Sequence, residues 1–330
     1  MTKRIALIND LSGFGRCSLT AAISVIASMG VQPCPMPTAV LSAQTGYPSY
    51  FYDDYTYRMG EIQKEWEKMG ACFDGIYMGF MSGCRQIEKA FQFLDAFHKK
   101  GENFLLVDPI MGDNGVRFEI FSARFQEEMK LLVKRADIIT PNLTELCLLA
   151  GADERFMQEL AGAGRSERAG YPGNIPERAE VTKAAEQMAR EVMREGPSEV
   201  VITGIRCRVE KEGPELMGNL AVTEDSAVFS AYPFIGESYS GTGDLFASVI
   251  AGGKARGDAL EDSMKLAGMM ISRAVGDAVR EGVPRNEGAE YEKYLAMLAK
   301  SGFVGETHGG SGKSDENFGE DFRGRILRGV

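Results

Sequence analysis

The sequence predicts an α/β protein with a mostly parallel central sheet and helices on both of its faces. Three observations carry that prediction. Short apolar runs, too brief for helices, alternate with longer amphipathic stretches. Each short run ends in a polar or glycine-bearing turn, and the residues best suited to chemistry fall at those ends. Strands alternating with helices build parallel sheets, whose ligands gather beyond the carboxyl ends of the strands.

The first run, Ile5-Ala6-Leu7-Ile8, reads as a buried strand, followed by a glycine-containing turn and a helix over 19–29. Phe104-Leu105-Leu106-Val107, Asp137-Ile138-Ile139-Thr140 and Val200-Val201-Ile202-Thr203 repeat the theme and end at Asp108-Pro109, Pro141-Asn142 and Gly204. Two regions depart from it. Residues 33–57, rich in Pro, Thr, Ser and Tyr, lack a helical period and read as an excursion of extended segments that covers the pocket or pairs with another subunit. Residues 151–178 are polar, glycine-rich and charged, as an exposed insertion would be; from Gly305 onward the composition is that of a flexible tail. The expected organisation is one catalytic domain over 1–304 with an insertion at about 151–178, then a tail over 305–330.

Composition narrows the function. Of the 330 residues, 44% are hydrophobic and 25% charged, the balance of an ordinary soluble domain. No apolar run is long enough to span a bilayer, and Met1-Thr2-Lys3-Arg4 leads into the first strand pattern rather than a leader peptide. The expectation is a cytoplasmic protein without a membrane partner. A formal net charge of −10 argues against a general nucleic-acid binder. The six cysteines show no C-x-x-C spacing and there are only two histidines, which disfavours structural zinc and fits reduced thiols. Cys34 and Cys84 lie where one of them could face a substrate, although packing accounts for both.

The chemistry is concentrated in Ser240-Gly241-Thr242-Gly243-Asp244-Leu245-Phe246, which opens an apolar helical run. Two glycines let the backbone turn with its N–H groups converging, and a helix N-terminus is a ready anion site. A phosphate-binding turn alone would not place an aspartate there, because its charge repels the ligand. The aspartate fits if it takes a proton from a hydroxyl while the amides stabilise a transferring phosphoryl group. In isolation, the same tetrapeptide also fits a loop whose Asp and Thr merely cap a helix.

Two other motifs mislead. Gly13-Phe14-Gly15-Arg16-Cys17-Ser18 looks like a dinucleotide fingerprint, but Ser18 stands where the third glycine belongs and no acidic residue follows at the ribose position. Gly309-Gly310-Ser311-Gly312-Lys313-Ser314 imitates a phosphate loop without the preceding strand or the following helix.

Two more segments complete the constellation. Asp108-Pro109-Ile110-Met111-Gly112-Asp113 offers two carboxylates after a strand, and Pro141-Asn142-Leu143-Thr144-Glu145-Leu146 places an amide and a carboxylate in a helical first turn. Hard oxygen ligands of this kind suit Mg²⁺ held through water and phosphate. Capping explains Asn142 and Glu145 equally well, and turn initiation explains Asp108.

Together these segments resemble the ribokinase superfamily and, within it, the pyridoxal kinases, over about residues 5–280. The resemblance implies a ribokinase-like three-layer sandwich and ATP-dependent phosphorylation of the 5′-hydroxymethyl group of pyridoxal, pyridoxamine or pyridoxine by a homodimer. It implies Asp244 as the base, with Gly241, Thr242 and Gly243 as the anion hole. Asn142, Thr203 and Ser240 would approach ATP, and Asp108 and Glu145 would organise Mg²⁺, with K⁺ or Na⁺ as a further cation. Asp10, Ser12, Thr45, Tyr47 and Phe80 would meet the vitamin. Asp10 departs from the serine often found there. The stretch Asn9-Asp10-Leu11-Ser12-Gly13-Phe14-Gly15 also leans toward the hydroxymethylpyrimidine kinases, relatives with the same chemistry. A non-catalytic B6 or nucleotide binder is the alternative of another class.

Overall fold

Ile5, Ala6, Leu7 and Ile8 are fully buried, and strand alternation sends them to opposite sides of one sheet. Ile5 and Leu7 pack into one core, Ala6 and Ile8 into another. A strand apolar on both faces requires helices on both faces, and the computed structural model, which describes residues 1–160, 175–210, 212–236 and 238–299, has them. The expected tail and residues 161–174 of the expected insertion lie outside the described residues.

From β1 (Arg4–Ser12) the chain enters α1 (Ser18–Ser28), returns along β2 (Gln32–Leu41) and turns back as β3 (Tyr52–Asp54). Helix α2 (Thr56–Lys68) leads to β4 (Gly75–Met78), and α3 (Cys84–Phe97) to β5 (Phe104–Val107). A small hairpin follows, β6 (Gly112–Asp113) and β7 (Val116–Arg117), and then α4 (Ala123–Val133) and β8 (Ile138–Ile139). Next come α5 (Leu143–Ala150), α6 (Glu154–Leu160) and α7 (Arg178–Met193). The chain continues through β9 (Glu199–Arg208), β10 (Glu215–Val222) and β11 (Ala227–Pro233) to α8 (Thr242–Arg256) and α9 (Leu260–Glu281).

The sheet order is β11-β10-β9-β8-β5-β4-β1-β2-β3, parallel from β9 to β2 and antiparallel at both margins. Residues of α2, α3, α4, α5 and α7 fill one core, and residues of α1, α8 and α9 the other. Helix α8 is buried from Leu245 to Gly253 because α1, α9 and the sheet all pack on it. The connections from β1 go to β2 on one side and to β4 on the other. A crevice opens at such a switch point, beyond the carboxyl end of β1.

The expected excursion at 33–57 is in part a strand of this sheet. The amide of Gln32 donates to the Lys3 carbonyl (2.8 Å), so alternate amides along β2 face β1. Pro33, Pro35 and Pro37 occupy the other positions, where a missing N–H costs nothing because β3 pairs only with 39–41. The prolines also make that exposed edge a poor template for another strand. In the expected insertion, α6 anchors the described start by burying Met157 and Leu160.

Candidate active site

The first turn of α8 meets the end of β1 beyond the sheet, beside a cavity of about 480 Å³. Gly241 has φ +82°, and a Cβ on it would overlap the Arg16 carbonyl, so the turn admits only glycine. No side chain caps the helix; Thr242 Oγ1 instead donates back to the Tyr239 carbonyl (3.1 Å). A Cβ on Gly243 would meet nothing within 4 Å, so the approach to these first-turn amides is open.

Asp244 lines the cavity, and burial pushes its carboxyl up to about 6. The Ser18 backbone N–H and the Asn9 amide donate to it and pull the other way, while the nearby Asp10 charge adds to the rise. Ser18 takes φ +52°, a left-handed conformation rare for serine. Its amide points at Asp244, so backbone strain is stored beside the carboxylate. Asn9 Nδ2 donates to Asp244 Oδ1 at 3.0 Å.

Two further carboxylates lie at the adjoining strand ends. Asp108 accepts from Thr140 Oγ1 (2.9 Å) and is raised to about 7 by burial and by the Asp244 charge. Glu145 accepts from the amides of Met111 (3.2 Å) and Asn142 (2.9 Å), and burial with the Asp108 charge holds it well above the usual carboxylate range. Asn142 Oδ1 receives the Glu145 amide in return, which closes a capping box. The same first turn clamps the β6–β7 hairpin, through Asn142 Nδ2 to the Gly112 carbonyl and the Gly115 amide to Thr144 Oγ1, both 2.8 Å.

Among the described residues no Lys or Arg pairs with Asp108, Glu145 or Asp244, and no three His, Cys, Asp or Glu side chains form a metal centre by themselves. Buried acceptors with no cationic partner fit a divalent cation held by one or two carboxylates, water and phosphate.

The opposite wall is apolar and was not legible in the sequence. Met217 of β10, Tyr232 of β11, Phe234 and Ile235 just beyond it, and Ile271 and Val275 of α9 line it. Arg285 is the single Lys, Arg or His among the described lining residues; its Nε donates to the Ser238 carbonyl (3.0 Å).

Comparison with known proteins places this arrangement. A family model described as phosphomethylpyrimidine kinase matches residues 173–288. A Bacteroides thetaiotaomicron VPI-5482 structure that carries the name phosphomethylpyrimidine kinase, in a crystal form with pyridoxal, is 33% identical. It covers 90% of this chain and 96% of its own, with a TM-score of 0.77. This chain belongs to the phosphomethylpyrimidine kinase family. A pyridoxal kinase of Rubrobacter xylanophilus is 26% identical over 84% of this chain and 88% of its own length. The Lactobacillus plantarum pyridoxal kinase, 23% identical over 90% of this chain and 97% of its own, shares the fold with a TM-score of 0.71. The ribokinase-like architecture expected from the resemblance is therefore the observed one.

Within this family fold, Asp10, Ser12, Thr45, Phe80, Asp108, Asn142, Glu145, Thr203 and 240–244 all line the one cavity. Asp10 is 7% exposed and accepts from Ser12 Oγ (2.8 Å). Phe80 faces the cavity and also packs toward Phe121, with ring centroids 6.3 Å apart, so it serves both wall and core. Tyr47 stands apart: its ring lies edge-on to Phe14 and does not line the cavity. Neither Cys34 nor Cys84 lines it; Cys17 does, with its thiol pushed up to about 12 by burial and by the charges of Asp244 and Asp10. The sequence reading missed Asn9, Arg285 and the apolar wall.

Proposed function

We propose that this protein transfers the γ-phosphoryl group of ATP to the 5′-hydroxymethyl group of pyridoxal, pyridoxamine or pyridoxine. The observation that carries the reading is Asp244 at the open N-terminus of α8, lining a cavity of about 480 Å³. The Bacteroides relative solved with pyridoxal and the curated pyridoxal kinases support the vitamin as acceptor.

The hydroxymethyl group enters between Asp244 and the wall formed by Asp10, Ser12 and Phe80, with Thr45 at the rim. Asp244 accepts the hydroxyl proton as the oxygen attacks, so its elevated proton affinity suits it to a base working near neutrality. The amides of Gly241, Thr242 and Gly243 face the charge that develops on the transferring group. Asn142, Thr203 and Ser240 border the phosphates, Arg285 supplies a positive charge there, and the apolar wall of Met217, Phe234 and Ile271 receives the base of the nucleotide. Asp108 and Glu145 would hold Mg²⁺ through water; the ion would supply charge neutralisation of the phosphates, with K⁺ or Na⁺ as a second cation. Homodimer formation through the β3 edge is supported by the exposed Tyr50, Phe51, Tyr52 and Tyr57. No helix among the described residues is long and apolar enough to cross a membrane; the location proposed for the kinase is the cytoplasm.

Hydroxymethylpyrimidine phosphorylation is the second reading, favoured by the family model over 173–288. ADP release from Mg-ATP with pyridoxal, pyridoxamine, pyridoxine and hydroxymethylpyrimidine in parallel separates the two, with Asp244→Asn as the blank. Turnover of a B6 vitamer that disappears in the variant is expected. Turnover confined to the pyrimidine would reassign the substrate, and tight ligand binding without any ADP release would mark a non-catalytic binder.

A further inference from the structure

Asn9 is 1% exposed and does not line the cavity, yet its side chain touches three parts of the site. Oδ1 accepts the backbone amides of Asp10 (2.9 Å) and Phe80 (2.8 Å), and Nδ2 donates to Asp244 Oδ1 (3.0 Å). This network fixes which end of the amide is which. Two backbone N–H groups can be received only by the oxygen, so the NH₂ group must face Asp244. Gly79 leaves the space the amide occupies: a Cβ there would stand 2.6 Å from Nδ2.

We infer that Asn9 is the positioning residue that holds the Asp244 carboxylate, from outside the cavity, in the orientation from which it takes the substrate proton. The inference rests on Asp244 acting as the base. Asn9 sits on β1 and Asp244 on α8, 235 positions apart, so the bond ties the sheet to the helix that carries the chemistry. The same amide holds Phe80, which lines the cavity wall, and Asp10. Base, wall and strand end thus share one anchor. Donation from a neutral amide also favours the ionised carboxylate. It acts alongside the Ser18 amide and against the other ionisable groups whose interactions reach Asp244: Asp10 of β1, Cys17 before α1, Tyr77 of β4 and Asp108 after β5.

Asn9→Asp tests this: in its ionised form it still accepts the two backbone amides but cannot donate to Asp244, and its charge repels the Asp244 carboxylate where the amide held it. With pyridoxal and Mg-ATP, kcat is expected to fall about 10- to 100-fold. KM for ATP should stay within about twofold, and the acid limb of the kcat/KM profile should move up by about one pH unit. Gly79→Ala, which crowds the amide from the other side, should move the limb in the same direction by less, and it serves alone if Asn9→Asp does not fold. A folded variant with a lower melting temperature but an unmoved acid limb and unchanged kcat would overturn the inference while leaving Asp244 as the base. Turnover retained in Asp244→Asn would overturn both.

Discussion

Two helices, α5 and α8, bring their N-termini to the same cavity and finish them in opposite ways. At α5, Asn142 and Glu145 satisfy each other's amides, so the end of the helix is closed by its own side chains. At α8, the capping position is Gly241 in a left-handed conformation, with no side chain to close it and open space over Gly243. Both ends carry the same partial positive charge. One is closed by its own side chains and holds a hairpin; the other is left open toward the cavity. A single residue at the cap decides which.

The largest effect should come from removing the one charge at the open end. Asp244→Asn preserves shape and the Asn9 contact but removes the proposed base, so kcat should fall about 10²- to 10⁴-fold with vitamin and nucleotide affinity largely retained. Single-turnover kinetics with calorimetry on the same samples would check both halves. Near-normal turnover would mean that the open end works without its carboxylate. In the unmodified protein the same group predicts an acid limb. As the proposed base Asp244 would act when ionised, and burial raises its carboxyl to about 6, so kcat/KM should drop about tenfold per unit below that pH and be level above it.

Closing the open end from the backbone is the next test. Gly241→Ala forces a side chain into a φ of +82° and against the Arg16 carbonyl, at about 1–3 kcal/mol for the strain alone. The melting temperature should fall and phosphate discrimination should weaken together. A variant that loses stability while keeping its KM for ATP would show that the turn is only structural.

The closed end sits among carboxylates that burial penalises, and this sets a sign for stability against pH. Asp108 is raised to about 7 and Glu145 also lies above its ordinary value, so the folded protein holds these protons more tightly than the unfolded chain does. Their contribution is present in acid, below the unfolded values, and is lost as pH rises through about 7. Asp54, Asp74 and Glu215 are shifted down and act in the opposite sense, but lower on the pH scale. The melting temperature should therefore decline between about pH 5 and pH 7.5, and Mg²⁺ should reduce that decline by supplying the cation these acids lack. A flat profile, or one indifferent to Mg²⁺, would separate Asp108 and Glu145 from metal binding.

The sequence shows the open end far more clearly than the closed one or its supports. Gly241-Thr242-Gly243-Asp244 stands out because it opens an apolar helix while other polar segments follow strand ends elsewhere, although alone it also fits a simple cap, and the buried runs at 104–107 and 200–202 are apolar on both faces. The sequence reads β2 as extended but not as a strand of the main sheet, because Pro33, Pro35 and Pro37 look like strand breakers until their amide positions are known to face an unpaired edge. Asn9 was hidden because its three bonds reach Asp10, Phe80 and Asp244, and no local pattern records that convergence. Nothing in the sequence marks Met217, Ile271 and Val275 as cavity-lining, because an apolar residue facing a cavity has the same sequence signature as one facing a neighbouring helix.

The smallest predicted effect is also the sharpest test of the contrast. Asn142→Ala removes the side-chain acceptor that closes α5 and the donor that holds the Gly112 carbonyl. Loss of such a cap costs about 1 kcal/mol, which in a chain of this size lowers the melting temperature by roughly 1–2 °C. Turnover should fall less than in Asp244→Asn, because the carboxylate and the α8 amides stay in place; KM for ATP should rise as the hairpin loosens. If Asn142→Ala instead abolished turnover with its melting temperature intact, the amide would be acting on the ligand directly, and α5 would be a second open end rather than the closed partner of α8.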